Sequence, residues 1–159
     1  MTTTARLAAA ALALLATPLA LSACAGATGD DIAAEVARGV TAADPAIVDA
    51  AVQATDGVAG RTVWVRLYVD DIDGAALASV IDAALPATLA ASPVRPVEVY
   101  LDVHDAPKPE EVEFRSRSGL DLTEATTALG IYRWYSDRLV GVGIADLEAR
   151  YGTWDELHG

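Results

Sequence analysis

Two stretches of strict alternation, "TVWVRLYVD" (62–70) and "VEVYLDVH" (97–104), constrain the fold more than anything else in this chain. In the first, Val63, Val65, Leu67 and Val69 leave by one side and Trp64, Arg66 and Tyr68 by the other. In the second, Val97, Val99, Leu101 and Val103 oppose Glu98, Tyr100, Asp102 and His104. Side chains on a strand alternate between faces, so each stretch predicts a strand with one apolar side to bury. Between them, Leu77, Val80, Ile81, Ala84, Leu85 and Leu89 recur at helical spacing over residues 75–91, which predicts a covering helix. Pro86 lacks an amide hydrogen and is expected to kink or divide it.

The flanking segments are weaker. "DPAIVDAAVQATDG" (44–57) has Asp44 and Pro45 at its start and Ile47, Val48, Ala51 and Val52 as a stripe. It reads as a leading helix over 45–55 that ends at Asp56-Gly57. "VEFRSRS" (112–118) reads as a third strand with Val112 and Phe114 inward. Asp121 and Glu124 have capping-box spacing for a short helix ending at Gly130. "RLVGVGI" (138–144) reads as a last strand and 145–152 as a helical turn. From residue 62 the order is β-α-β-β-α-β. The expected fold class is therefore α+β, a two-layer α/β sandwich of ferredoxin-like order with an extra N-terminal helix.

Residues 1–23 do not belong to that domain. One positive charge, Arg6, precedes a charge-free run from Leu7 to Ala23, which has the layout of a secretory signal. The run is near the lower length limit for crossing a bilayer and contains Pro18, so an uncleaved anchor is the weaker alternative. Leu21-Ser22-Ala23-Cys24 follows, and Cys24 is the only cysteine of the 159 residues. This tetrapeptide resembles the lipobox of bacterial lipoproteins. The resemblance implies lipidation of the Cys24 thiol, cleavage before it, and a lipid-anchored location on the outer, extracytoplasmic side of a cell membrane. "ACA" and "AGA" nearby leave open ordinary cleavage and secretion without lipid. The residues beyond resemble, with no diagnostic motif, small exported lipoproteins of unknown function from high-GC Gram-positive bacteria. The expected organisation is a signal peptide (1–23), a flexible tether (24–43) rich in Ala, Gly and Thr that admits a transient helix at 31–38, and a single domain (44–159).

With one cysteine, no intramolecular disulfide forms, and the domain must be held by its core alone. All 23 acidic residues and ten of the 11 basic ones lie beyond residue 23, giving that part a formal charge of −13. Such a balance repels nucleic acid, so no nucleic-acid partner is expected. It also serves plain solubility.

The polar sides of the two alternating strands hold the candidate binding face: Trp64, Arg66, Tyr68, Tyr100, Asp102 and His104, joined by Arg115 and Arg117 of the third strand. Rings supply contact area and charges supply direction, a combination that suits a protein partner. Packing alone also favours aromatics in strands, and "IYRWYS" (131–136) with Trp154 are candidates to fold over the face. Asp102 and His104 share a side and form the basis of an alternative, a small envelope hydrolase using carboxylates or His104. No nucleophile motif accompanies them, and no catalytic residue is assigned. "DDIDG" (70–74) lacks the first and last acids of a calcium loop, so it is expected to end a strand and cap a helix. No metal and no cofactor is expected. The expected function is a membrane-anchored lipoprotein presenting a binding or assembly domain to an envelope protein partner.

Overall fold

The computed structural model describes residues 27–114, 118–131 and 134–159, with backbone only at Trp134 and Tyr135. The signal segment and Cys24 lie outside these residues.

The first element, α1 (Gly29–Thr41), occupies most of the expected tether. Thr28 caps it: its hydroxyl accepts from the Asp31 amide, and Asp31 in turn accepts from the Thr28 amide. Ile32, Val36 and Val40, spaced four apart, are fully buried. Three large apolar residues in 13 look sparse in composition, yet at i, i+4 and i+8 they form one continuous stripe. Residues 29–41 therefore pack as part of the domain, and the flexible-tether reading of them is corrected.

The expected leading helix at 45–55 is a strand, β1 (Ile47–Gly57), antiparallel to β2 (Gly60–Val69). Asp44 caps a turn instead of a helix, accepting from the Ala46 amide at 2.8 Å. A bulge between Ile47 and Asp49 explains the misreading. It puts Ile47 and Ala50 on the same buried face, after which Ala50, Val52 and Ala54 face inward opposite Leu67, Val65 and Val63. One inserted residue breaks the period of two and imitates a helical stripe. Asp56-Gly57, read as a helix stop, enters a two-residue hairpin turn at Val58 and Ala59.

Helix α2 (Gly74–Ala91) runs unbroken through Pro86. Asp73 caps it by accepting from the Ala76 amide at 2.8 Å, as expected for "DDIDG". Seven of its residues are buried, from Leu77 to Leu89. The helix is apolar enough by composition to cross a membrane, but its buried residues share one core with those of the sheet, and it also packs against α1 and the helices that follow. α1 approaches it closely at Gly39, where a Cβ would stand 2.5 Å from the Ala91 Cβ.

β3 (Glu98–Asp105) pairs directly with β2, parallel and in register from Thr62 opposite Glu98 to Val69 opposite Asp105. The βαβ unit is therefore not split, and the chain is α+β without the ferredoxin-like strand order. Residues 112–114 are not a strand, and 115–117, with Arg115 and Arg117, lie outside the described residues. α3 (Thr123–Leu129) ends at Gly130 in the left-handed region (φ 67°), as its sequence suggests, but its N-cap is Leu122 with no side-chain hydrogen bond, so the expected capping box of Asp121 and Glu124 does not form; Asp121 accepts from the Thr123 amide at 2.8 Å instead. A hairpin of β4 (Trp134–Ser136) and β5 (Leu139–Gly143) completes a mixed sheet of order β1-β2-β3-β5-β4. α4 (Ile144–Tyr151) and α5 (Trp154–His158) close the chain. The helices pack on the sheet face formed by Val63, Val65, Leu67, Val99, Leu101 and Val103, and the main core lies between the two layers.

Candidate functional site

The alternation places Trp64, Arg66, Tyr68, Tyr100, Asp102 and His104 on the sheet face opposite the helices, and parallel pairing sets them in rows. Trp64 stands beside Tyr100, Arg66 beside Asp102, and Tyr68 beside His104. All six expected face residues are thereby brought together.

That face is not open. Arg66 is 3% exposed, Tyr68 2%, Asp102 5% and Tyr100 9%. The cover is the segment after β3, which crosses the sheet. Arg66 Nη1 donates to the Glu113 carbonyl at 2.9 Å, and the guanidinium lies 5.6 Å from the Phe114 ring centre. Leu120 then donates to the Val103 carbonyl at 2.8 Å. Gly119 (φ 153°) permits this passage, because a Cβ there would stand 3.0 Å from the Val103 oxygen and 3.2 Å from His104 Nε2. Trp154 does not cover the face: it stacks on His158 at 4.1 Å, and His158 Nε2 sits 3.0 Å from the Ser92 carbonyl at the end of α2. The side chains of 132–135 lie outside the described residues.

Under the cover, Arg66 clamps Asp102 in a two-pronged pair. Nε reaches Oδ1 at 2.9 Å, and Nη2 reaches Oδ2 at 2.6 Å. Burying two charges is tolerable only when geometry of this quality satisfies both. His104 Nε2 lies 3.4 Å from Asp102 Oδ2, within ion-pair range but without an aligned hydrogen bond. Burial lowers the His104 pKa, and the Arg66 charge adds to this, outweighing the opposing pull of Asp102. The imidazole is therefore neutral at pH 7. Burial likewise raises the Tyr68 pKa, keeping a phenol whose Oη has no hydrogen-bond partner among the described residues. Asp102 is too engaged by Arg66 to act as a free base, and His104 is turned toward a carboxylate already held elsewhere. This arrangement is a structural clasp before it is a catalytic one.

The lower half of the face is different. The Trp64 and Tyr100 rings stack at 4.2 Å with an 18° tilt, and Tyr100 Oη donates to Glu98 at 2.9 Å. Gln53, opposite Trp64 on β1, is exposed and Trp64 is half-buried. Gln53 was missed because its segment reads as a helix. Glu113 and Phe114 were misplaced because a short irregular cover has no periodic signature.

A separate cavity of about 280 Å³ lies between α2, the end of α3 and α4, lined by Leu85, Ile131, Val142, Leu147, Arg150 and Tyr151 among others. Arg150 is engaged with Asp82 at 3.0 Å and the Leu129 carbonyl at 2.6 Å. Tyr151 donates to Asp82 at 2.8 Å, and burial with that carboxylate pushes the phenol up to about 12. The cavity is at the small end for ligand sites. Among the described residues, no group of three or more His, Cys, Asp and Glu side chains converges as metal ligands would.

No family model matches the chain, and no curated protein and no solved structure is significantly similar to it.

Proposed function

We propose that the chain is a lipoprotein, acylated at Cys24 and held on the extracytoplasmic side of a cell membrane, whose α+β domain works as a binding or assembly module. The observation that carries this reading is the sole cysteine falling at the end of Leu21-Ser22-Ala23-Cys24, directly after a charge-free run. The diacylglyceryl group adds two acyl chains, and each buried methylene contributes about 0.8 kcal/mol of membrane affinity.

Binding is favoured over hydrolysis by the engagement of Asp102 with Arg66 and by the half-buried Trp64, stacked on buried Tyr100, with exposed Gln53 beside it. An envelope protein would dock at Trp64 and Gln53 and not across the whole face.

Growth with labelled palmitate tests the anchor. Label should enter the wild-type protein and be absent from Cys24→Ser. Labelling that survives the substitution, or no labelling of the wild type, overturns the reading. In the same cells, a photo-crosslinker at position 53 should trap one discrete protein adduct that a crosslinker at Asp71 does not. Identical adducts at both positions would remove the binding strip.

A further inference from the structure

We infer that the tip of the β1–β2 hairpin, Gly57-Val58-Ala59-Gly60, rests in the membrane interface beside the acylated Cys24. The inference rests on the acylation proposed above and adds a second, protein-borne contact with the lipid surface.

Three observations converge. First, the chain enters the domain beside this hairpin. The Ala27 carbonyl accepts from Arg61 Nη1 at 3.3 Å, and Gly29 lies against β1, where a Cβ would stand 3.0 Å from the Ala54 oxygen. Second, the reach matches. Cys24 is three residues before Ala27, so their Cα atoms are at most about 11 Å apart. Val58 is four residues beyond Ala54, so the tip projects about 13 Å past the start of α1. An acylated Cys24 and the hairpin tip can therefore meet one surface together.

Third, the tip has the right chemistry. Val58 is fully exposed, and Val48 is the other exposed large hydrophobic among the described residues. Gly57, Val58, Ala59 and Gly60 carry no charge. The charges at the base of the hairpin cancel, since Arg61 holds Asp56 at 2.7 Å through both Nε and Nη2. A single exposed valine is unremarkable on most surfaces. Here it stands at the end of the molecule that the lipid would hold against the bilayer. A neutral apolar tip suits an interface in which small apolar groups sit among headgroups.

The test uses the full, acylated chain in phosphatidylcholine vesicles. Because acylation consumes the thiol of Cys24, Val58→Cys provides one free thiol for an environment-sensitive fluorophore. Asp71→Cys provides the control, at the far end of β2. Brominated acyl chains should quench the label at 58 by about twofold, as expected for interfacial burial, and leave the label at 71 unchanged. A vesicle-bound, acylated protein whose label at 58 is as unquenched as that at 71 overturns the inference while the anchor stands. Fluorescence at 58 that responds to protein density and not to brominated lipid assigns the tip to a second copy and also overturns it. A protein that takes up no acyl chain and does not float with vesicles refutes the anchor, and the inference with it.

Discussion

Removing one member of the Arg66–Asp102 pair is the sharpest test of how the sheet face is built. Both side chains are nearly inaccessible and are joined by bonds of 2.6 and 2.9 Å. Breaking a buried pair typically destabilises by about 3–5 kcal/mol, because the survivor is left charged and dry. The low end applies here, since only the segment around Glu113 and Phe114 separates the pair from solvent. Each single substitution should therefore lose about 3 kcal/mol, or about 10–15 °C in melting temperature for a domain of this size. In Asp102→Leu, Arg66 keeps only the Glu113 carbonyl and the Phe114 ring. The double variant should lie within about 1 kcal/mol of wild type, since an apolar pair in the same space removes both desolvation penalties. Urea denaturation followed by tryptophan fluorescence measures all four proteins. Single variants within about 1 kcal/mol of wild type, and strictly additive in the double, would refute a desolvated clasp.

Two further outcomes follow from the same geometry. Ile32→Ala should cost about 2–5 kcal/mol in urea denaturation, as a fully buried residue of a packed helix does; a change below about 0.5 kcal/mol would return residues 29–41 to the status of a tether. Because burial lowers the folded pKa of His104 below its unfolded value, the unfolded state binds the extra proton. Stability should therefore fall as pH drops below about 6.5 toward the folded pKa, and His104→Gln should remove that part of the slope in thermal melts at pH 7.5 and 5.5.

What the sequence made legible follows from where a local period survives. β2 and β3 announce themselves because their faces differ in polarity at every step; α2 falls close to where periodicity and its Asp73 cap put it, β5 to where its strand was read, and α3 ends at Gly130 as expected although its capping box does not form. β1 was hidden by one bulged residue and by alanines that suit a helix as well as a strand. Pairing is a different matter. Nothing in Arg66 or Asp102 alone says that β2 and β3 are neighbours, although two opposite charges at the same step of two alternating strands hint at it. Parallel adjacency, and with it the loss of the ferredoxin-like order, is decided by tertiary packing. The six residues read as one face do share a side of the sheet, while the sequence left open whether anything covers them. A cover made by Glu113, Phe114 and Gly119 depends on a carbonyl, a ring and a missing Cβ, none of which has a repeat to detect.

The contrast between the two seams of β2 has a kinetic consequence. On one side, β1 is joined to it through the two residues Val58 and Ala59. On the other, Arg66 and Asp102 are 36 residues apart in the chain. By loop-closure entropy the second seam is harder to bring together by about 2.5 kcal/mol. The α1–β1–β2 unit has the topology of a local folding nucleus, and the Arg66–Asp102 clasp that of a late closure. Weakening the first should slow folding, whereas weakening the second should mainly hasten opening.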